Sequence, residues 1–314
     1  MEAIKDKIPE KSSIANVLAD ILSIKKEALY RRLRGEVFFT FAEIVTISQQ
    51  LNISLDRVAG SVSPYRSHLF QLHVQDYFDT NEVDYKMTAD YIAVIKAAGQ
   101  EPFSEYGFAT TTIPLHFSLF HKSIYCLYIL KWMYQFGDIG KIRPYSEIVF
   151  TERQKKLNHQ YLQEVMSIKY TYYIWGEYFL VYLINDIKYF HCIRLISTDE
   201  VLLLRKEIAY FLDHMEKMAI QGAYANGNKV EIFVSSLNFE TTYHYLSSEN
   251  IHISMISSFA IGAVTSLEKE VCDKLKIWMQ ALKRTSTLIS CSAEKERILF
   301  FEKQRNILKE SFDC

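Results

Sequence analysis

Ile14, Val17, Leu18, Ile21 and Leu22 repeat at the spacing that places apolar residues on one face of an α-helix. Ser12 or Ser13 stands just ahead of this run, where a hydroxyl can cap the first free N–H groups. The chain then turns at Ser23-Ile24. A second short helix from about Lys25 turns Ala28, Leu29 and Leu33 inward, and Gly35 suits the left-handed end of that helix. A small residue, Ala19, faces the second helix. Two short helices joined in this way form a helix-turn-helix pattern. Thr40-Phe-Ala-Glu43 is a capping-box sequence. It opens a helix whose inner face is Phe41, Ile44, Val45, Ser48 and Leu51, and a last short helix begins near Ser54. The pattern changes at Gly60-Ser-Val-Ser-Pro64, which reads as a linker. The expected organisation is residues 1–60 as a first domain, 61–66 as a linker and 67–314 as a second domain.

Beyond the linker the periodicity is less decisive. Residues 67–79 read as extended or helical, 84–99 as a helix, and the stretch with Pro102, Gly107 and Pro114 as irregular. Residues 115–136 read as one buried helix, and Thr151-Glu-Arg-Gln154 starts another. The aromatic run 172–191 fits strand or helix, with helix favoured. Ser197-Thr-Asp-Glu200 caps a helix that ends at Gly222. Lys229 to Leu237 alternates and is β-branched after an Asn226-Gly227 turn, which predicts a strand. Residues 251–264 predict one strand or two, and Thr265-Ser-Leu-Glu268 a helix start. From Leu267 to Leu282 apolar residues form a heptad-like seam that fits either a dimer contact or an interior helix, the latter favoured. A final amphipathic helix covers about 293–309. The expected fold class is mainly α: five N-terminal helices, then a larger, mostly helical α+β domain with a small sheet.

Composition narrows the classes. The chain has 314 residues, 49% hydrophobic and 23% charged, which is the make-up of a globular protein. Its formal net charge is −1, so no overall field draws it to nucleic acid. Five cysteines lie far apart with no C-x-x-C, which reads as reduced thiols. The start of the chain is charged and polar, unlike a signal peptide. Lys122 and Glu177 interrupt the greasiest stretches, so no membrane span is expected, and a cytoplasmic location follows. The histidine pairs His68/His73 and His116/His121 are five positions apart and fall on different helix faces. Neither a metal site nor a cofactor is expected, and no nucleophile or phosphate-loop motif occurs. No catalytic residues are assigned. The aromatics Tyr172, Tyr173, Trp175, Tyr178, Phe179 and Tyr182 fit a core more readily than a pocket.

The outer face of the second helix carries the chemistry. Between Lys25 and Arg34 stand five basic residues, Lys25, Lys26, Arg31, Arg32 and Arg34, with one acid, Glu27, and one aromatic, Tyr30. Such a face suits the major groove of double-stranded DNA, where phosphates line the walls and base edges offer hydrogen-bonding groups. Lys26, Glu27 and Arg31 are assigned to base edges, with Tyr30 nearby. Lys25, Arg32 and Arg34 are assigned to phosphates. The segment from Ser13 to about Val58 resembles the lambda-repressor-like (Cro/CI, or XRE) DNA-binding domain. Leu18-Ala19, Ile24, Leu29, Leu33, Arg34-Gly35 and Leu51-Asn52-Ile53-Ser54-Leu55-Asp56 carry the likeness. Ser23 stands where that family usually has Gly, and the segment before Ser12, with Pro9, is short for its first helix. The C-terminal part is similar to the large partner domain of some bacterial XRE-type regulators. The strand 229–237, Trp278, Ser286-Thr-Leu-Ile-Ser290 and Ala293-Glu-Lys-Glu-Arg297 suggest it. The resemblance implies a dimeric transcription regulator reading a palindromic operator, with a C-terminal domain that dimerises and senses a small molecule or a protein. The alternatives are a protein-interaction module localised to DNA, with no small-molecule ligand, and an enzyme with an appended DNA-binding domain.

Overall fold

The computed structural model of the chain describes residues 2–5, 7–8, 13–51, 53, 55, 58, 68–73, 76–137, 140, 142–258 and 262–312. It divides into two compact units, residues 1–69 and 70–314. The first contains α1 (Glu2–Lys5), α2 (Ile14–Leu22), α3 (Lys26–Leu33) and α4 (Phe41–Leu51). Four helices with described bounds stand against the expected five; Leu55 and Val58 are helical as well, and the residues around them lie outside the described ones. Ser54, the domain end at Gly60 and the linker 61–66 lie outside them. The core of this unit is small: Ala15, Leu18, Ala19, Leu29 and Ile47 are buried, with Ile21, Leu22, Leu33, Phe39 and Leu51 packed around them.

The Thr40 capping box is formed. Thr40 N–H donates to Glu43 Oε2 at 2.8 Å, and Glu43 N–H donates to Thr40 Oγ1 at 3.3 Å. The helix it opens is turned differently from the expected face. Ile47 is buried, whereas Phe41 is 77% exposed and Phe39, just outside the helix, joins the core instead. Apolar residues stand on both sides of this helix, so the 3.6-residue period alone does not choose between them. The Arg32–Glu43 ion pair, at 2.8 Å, stands on the same side of α4 as Ile47 and Leu51, which join the core.

The second unit has β1 (Gln71–His73), α5 (Glu82–Gln100), β2 (Ser104–Thr110), α6 (Leu115–Phe120), α7 (Lys122–Phe136) and a 3₁₀ turn at Tyr145–Glu147. Then come α8 (Glu152–Ser167), β3 (Tyr170–Gly176), α9 (Phe179–Cys192), α10 (Thr198–Gln221), β4 (Lys229–Ser235), β5 (Thr242–Ser248) and β6 (His252–Ser258). Finally there are β7 (Gly262–Ser266), α11 (Lys269–Arg284), β8 (Ser286–Leu288) and α12 (Glu294–Ser311). All eight strands form one mixed sheet in the order β1-β7-β6-β5-β2-β3-β4-β8. β2, β3 and β4 are parallel, and every other pairing is antiparallel. This corrects the expectation of a mainly α protein with a small sheet: the fold is α+β, built on a large mixed sheet. The parallel strands are joined by helical crossovers, as parallel pairing requires.

The sheet buries both faces at its centre. Tyr106, Phe108, Tyr173, Trp175, Val230 and Ile232 point to one side, into a core shared with α5 to α10 and α12. Ala109, Tyr172, Ile174, Phe233 and Tyr245 point to the other, against Cys272, Met279 and Leu282 of α11. The heptad-like seam therefore belongs to a helix lying on the sheet, with Trp278 4.7 Å from the Tyr243 ring. Gly107 on β2 makes this face possible. A Cβ there would lie 2.7 Å from both Tyr172 Cζ and Tyr245 Cε1, whose hydroxyls meet over it at 3.1 Å. Lys283 of α11 donates to Tyr170 Oη at 2.9 Å and to Glu231 at 3.2 Å, fixing the helix to β3 and β4.

On the opposite face two buried histidines are held as neutral rings. His244 Nδ1 and Tyr106 Oη are 3.2 Å apart, and His244 Nε2 lies 3.1 Å from Ser257 Oγ. His116 Nε2 lies 2.8 Å from Tyr173 Oη. Burial lowers His244 to about 4, and burial with a smaller contribution from His244 lowers His116 to about 3. Cys126, Cys192, Cys272 and Cys291 are free thiols. Among the described residues, no helix is long and apolar enough to cross a membrane.

Candidate nucleic-acid interface

The first two residues of the interface are set by backbone hydrogen bonds. α2 ends with Ser23 in the left-handed region, at φ 52° and ψ 40°. Ser23 N–H donates to Asp20 O at 3.2 Å and Ile24 N–H to Ala19 O at 3.1 Å, the paired bonds of a Schellman stop. Ile24 is thereby folded back onto the core, and Lys25 becomes the extended residue before α3. Ser13 precedes α2 but makes no side-chain capping bond, and Ser12 lies outside the described residues. The N-terminus of α3 has no side-chain cap either, which leaves the N–H groups of its first turn without a side-chain acceptor there.

The far end of α3 repeats the same device with glycine. Gly35 has φ 78°, its N–H donates to Arg32 O at 3.0 Å, and Glu36 N–H donates to Arg31 O at 2.9 Å. This closure brings Glu36 back against the helix it follows. Arg34 Nε donates to Glu36 Oε1 at 2.7 Å, and Arg31 Nε stands 3.5 Å from Glu36 Oε2. The Arg34 hydrogen bond is the main reason that the Glu36 carboxyl lies below the usual carboxylate range.

Of the seven residues expected at the interface, Lys25, Lys26, Glu27, Tyr30, Arg31 and Arg34 are exposed, on and beside the outer face of α3. Leu29 is fully buried on the inner face. Arg32 is different. Its side chain is only 17% exposed, it forms the ion pair with Glu43, and it donates to Ala28 O at 3.2 Å. Its guanidinium joins α3 to α4, and little of it faces outward. The hydrogen bond from Arg32, with that from Thr40 N–H, holds Glu43 below the usual carboxylate range.

Sequence reasoning missed Glu36 and, while it placed Glu43 in the capping box, missed the pairing of Glu43 with Arg32. Glu36 had a signal, since it lies directly after Arg34-Gly35, where a helix stop folds the chain back. Glu43 had none, because its contact with Arg32 spans eleven positions through a loop. Phe38 and Phe41 also stand out, at 88% and 77% exposed on the loop after α3 and at the start of α4. The comparisons with known proteins found nothing: no family model, no curated protein and no solved structure matches the chain.

Proposed function

We propose that the chain is a sequence-specific DNA-binding transcription regulator of the lambda-repressor-like kind, cytoplasmic and dimeric, that places α3 in the major groove of double-stranded DNA. The carrying observation is the outer face of α3, where Lys25, Lys26, Glu27, Tyr30, Arg31 and Arg34 stand exposed around a buried Leu29. Lys26, Glu27 and Arg31 read base edges, with Tyr30 beside them. Arg31 suits guanine O6/N7, and Glu27 suits cytosine N4. Lys25, at the uncapped start of α3, and Arg34, at its end, take phosphates. One α3 covers few base pairs, so two copies reading half-sites one helical turn apart supply the specificity. The second unit then carries dimerisation and the response to a small-molecule or protein effector, and has no catalytic role.

The test is selection of duplexes from a random-sequence library with the full chain, then fluorescence anisotropy on the enriched site at several salt concentrations. Arg31→Ala weakens binding by about 1–3 kcal/mol and relaxes preference at one position. Lys25→Ala weakens all duplexes alike and lowers the salt slope by about 1. Unchanged affinity in both variants removes the groove assignment. A second reading, a protein-interaction module localised to DNA, places the partner on the second unit; the exposed rings of Phe38 and Phe41 on the first unit favour a version in which the partner docks there. This version predicts that Phe38→Ser leaves DNA affinity intact while a stoichiometric protein complex is lost.

A further inference from the structure

The parallel strands β2, β3 and β4 end side by side at Thr110, Gly176 and Ser235. An open crevice of about 710 Å³ lies among residues just beyond these ends. The loops that follow β2 and β4, with one side of α9, wall it. The volume is within the range of small-molecule sites.

Two loops that wall the crevice are held by their own hydroxyls. Thr110 Oγ1 accepts the Thr112 N–H at 3.1 Å and meets Thr242 Oγ1 at 2.9 Å. Ser235 Oγ accepts the Leu237 N–H at 3.1 Å and donates to Leu237 O at 2.8 Å. Gly176 lets the first loop close over β3, since a Cβ there would stand 3.2 Å from Thr111 Cγ2. The walls are therefore formed before anything binds, which lowers the entropy cost of binding.

The lining carries polar groups of both hydrogen-bonding senses. Thr111, Thr112 and Tyr182 bring hydroxyls, and Asn185 and Asn238 bring carboxamides. Lys131 reaches Asp186 at 2.6 Å, and both side chains stay about 30% exposed at this wall. Glu240 adds a second carboxylate. One ammonium against two carboxylates leaves one negative charge, which disfavours phosphates and carboxylates. Phe239 is buried, and the half-exposed Tyr182 ring gives the wall an apolar face on which the C–H side of a sugar ring can rest. A neutral molecule with several adjacent hydroxyls satisfies this lining best, because each hydroxyl both donates to carboxylate or amide oxygen and accepts from an amide N–H.

The geometry points to a binding site for a small neutral saccharide in this crevice. The inference rests on the second unit alone and stands apart from the DNA reading. The test is isothermal titration of the full chain with glucose, galactose, mannose, ribose and N-acetylglucosamine, each in turn. At least one gives saturable heat, and Asn185→Ala and Asn238→Ala each weaken that binding about tenfold or more while circular dichroism and melting temperature stay unchanged. Both positions are exposed, so the variants fold. Putrescine and inorganic phosphate are titrated alongside, and the inference is overturned if none of the five sugars saturates, if binding survives both variants, or if only putrescine or inorganic phosphate binds.

Discussion

Ser23 occupies a conformation that favours glycine. An L-residue in the left-handed region costs on the order of 1 kcal/mol relative to glycine, less the extra chain entropy glycine loses on folding. Nothing in the αL turn requires the hydroxyl, since its two Schellman bonds come from backbone N–H groups. Ser23→Gly is therefore expected to stabilise the first unit by roughly 0.5–1 kcal/mol. Hydrogen exchange of the amides in α2 and α3 should slow by a few-fold, and faster exchange would show that the side chain matters in a way the backbone does not. Glu36 is the other residue whose replacement is informative. It holds Arg31 and Arg34 by ion pairs that a phosphate or base bound there, as proposed, would have to displace. Such exposed pairs are weak, so release costs little. Glu36→Gln removes a negative charge from the interface. DNA affinity should rise roughly fivefold at low salt, with a steeper salt dependence. A fall in affinity would mean that Glu36 orients the arginines for binding.

At the scale of the elements, the pair of buried histidines makes the sheet's helical side sensitive to acid. His116 and His244 are neutral in the fold, with values lowered to about 3 and about 4 by burial. In the unfolded chain each titrates near about 6.5. Between these values the unfolded state binds more protons, so stability falls as pH drops below about 6.5 and continues to fall until the folded values are reached. The urea midpoint of the second unit should decline between about pH 6 and 4, with uptake of about two protons from this pair and a further contribution from His121 and His214, which burial also lowers. His244→Asn should remove about one of them, whatever it does to stability at neutral pH. An unchanged proton count in that variant would contradict the assignment. The same elements explain what was readable beforehand. β4 alternates after Asn226-Gly227, and the Thr151 and Ser197 capping boxes use residues three apart, so all three were legible and are formed. β3 is buried on both faces, and its run Tyr170 to Gly176 lacks the alternation that marks a half-buried strand. β2 includes Gly107 and opens with Ser104-Glu105, a composition that reads as irregular. What makes it a strand is the ring space that Gly107 opens to Tyr172 and Tyr245, which no local pattern reveals. At the interface the exposed face of α3 followed from helical period and charge. The removal of Arg32 to Glu43 depended on the packing of α4.

The whole molecule has separate cores of very different size. The first unit buries five hydrophobic residues in its cluster, none larger than leucine or isoleucine. The second unit buries large aromatics on both sides of the sheet, including Trp175, Tyr106, Tyr172, Tyr173, Tyr245, Phe117 and Phe211. Small units bury a smaller fraction of their surface and are correspondingly marginal. Thermal unfolding of the full chain should therefore be biphasic, with the lower transition reporting on α2 to α4 and the upper on the sheet. A ligand that binds only the folded first unit raises its transition by mass action, by about 2.7 kcal/mol at a free concentration one hundred times its Kd. The selected DNA duplex should accordingly move the lower transition upward by several degrees and leave the upper one in place. A scrambled duplex at the same concentration and salt should move it less, in proportion to its weaker affinity. A glucose or other saccharide that occupies the strand-end crevice should do the opposite, shifting the upper transition alone. A DNA-dependent shift confined to the upper transition would locate nucleic-acid binding in the second unit and remove it from α3.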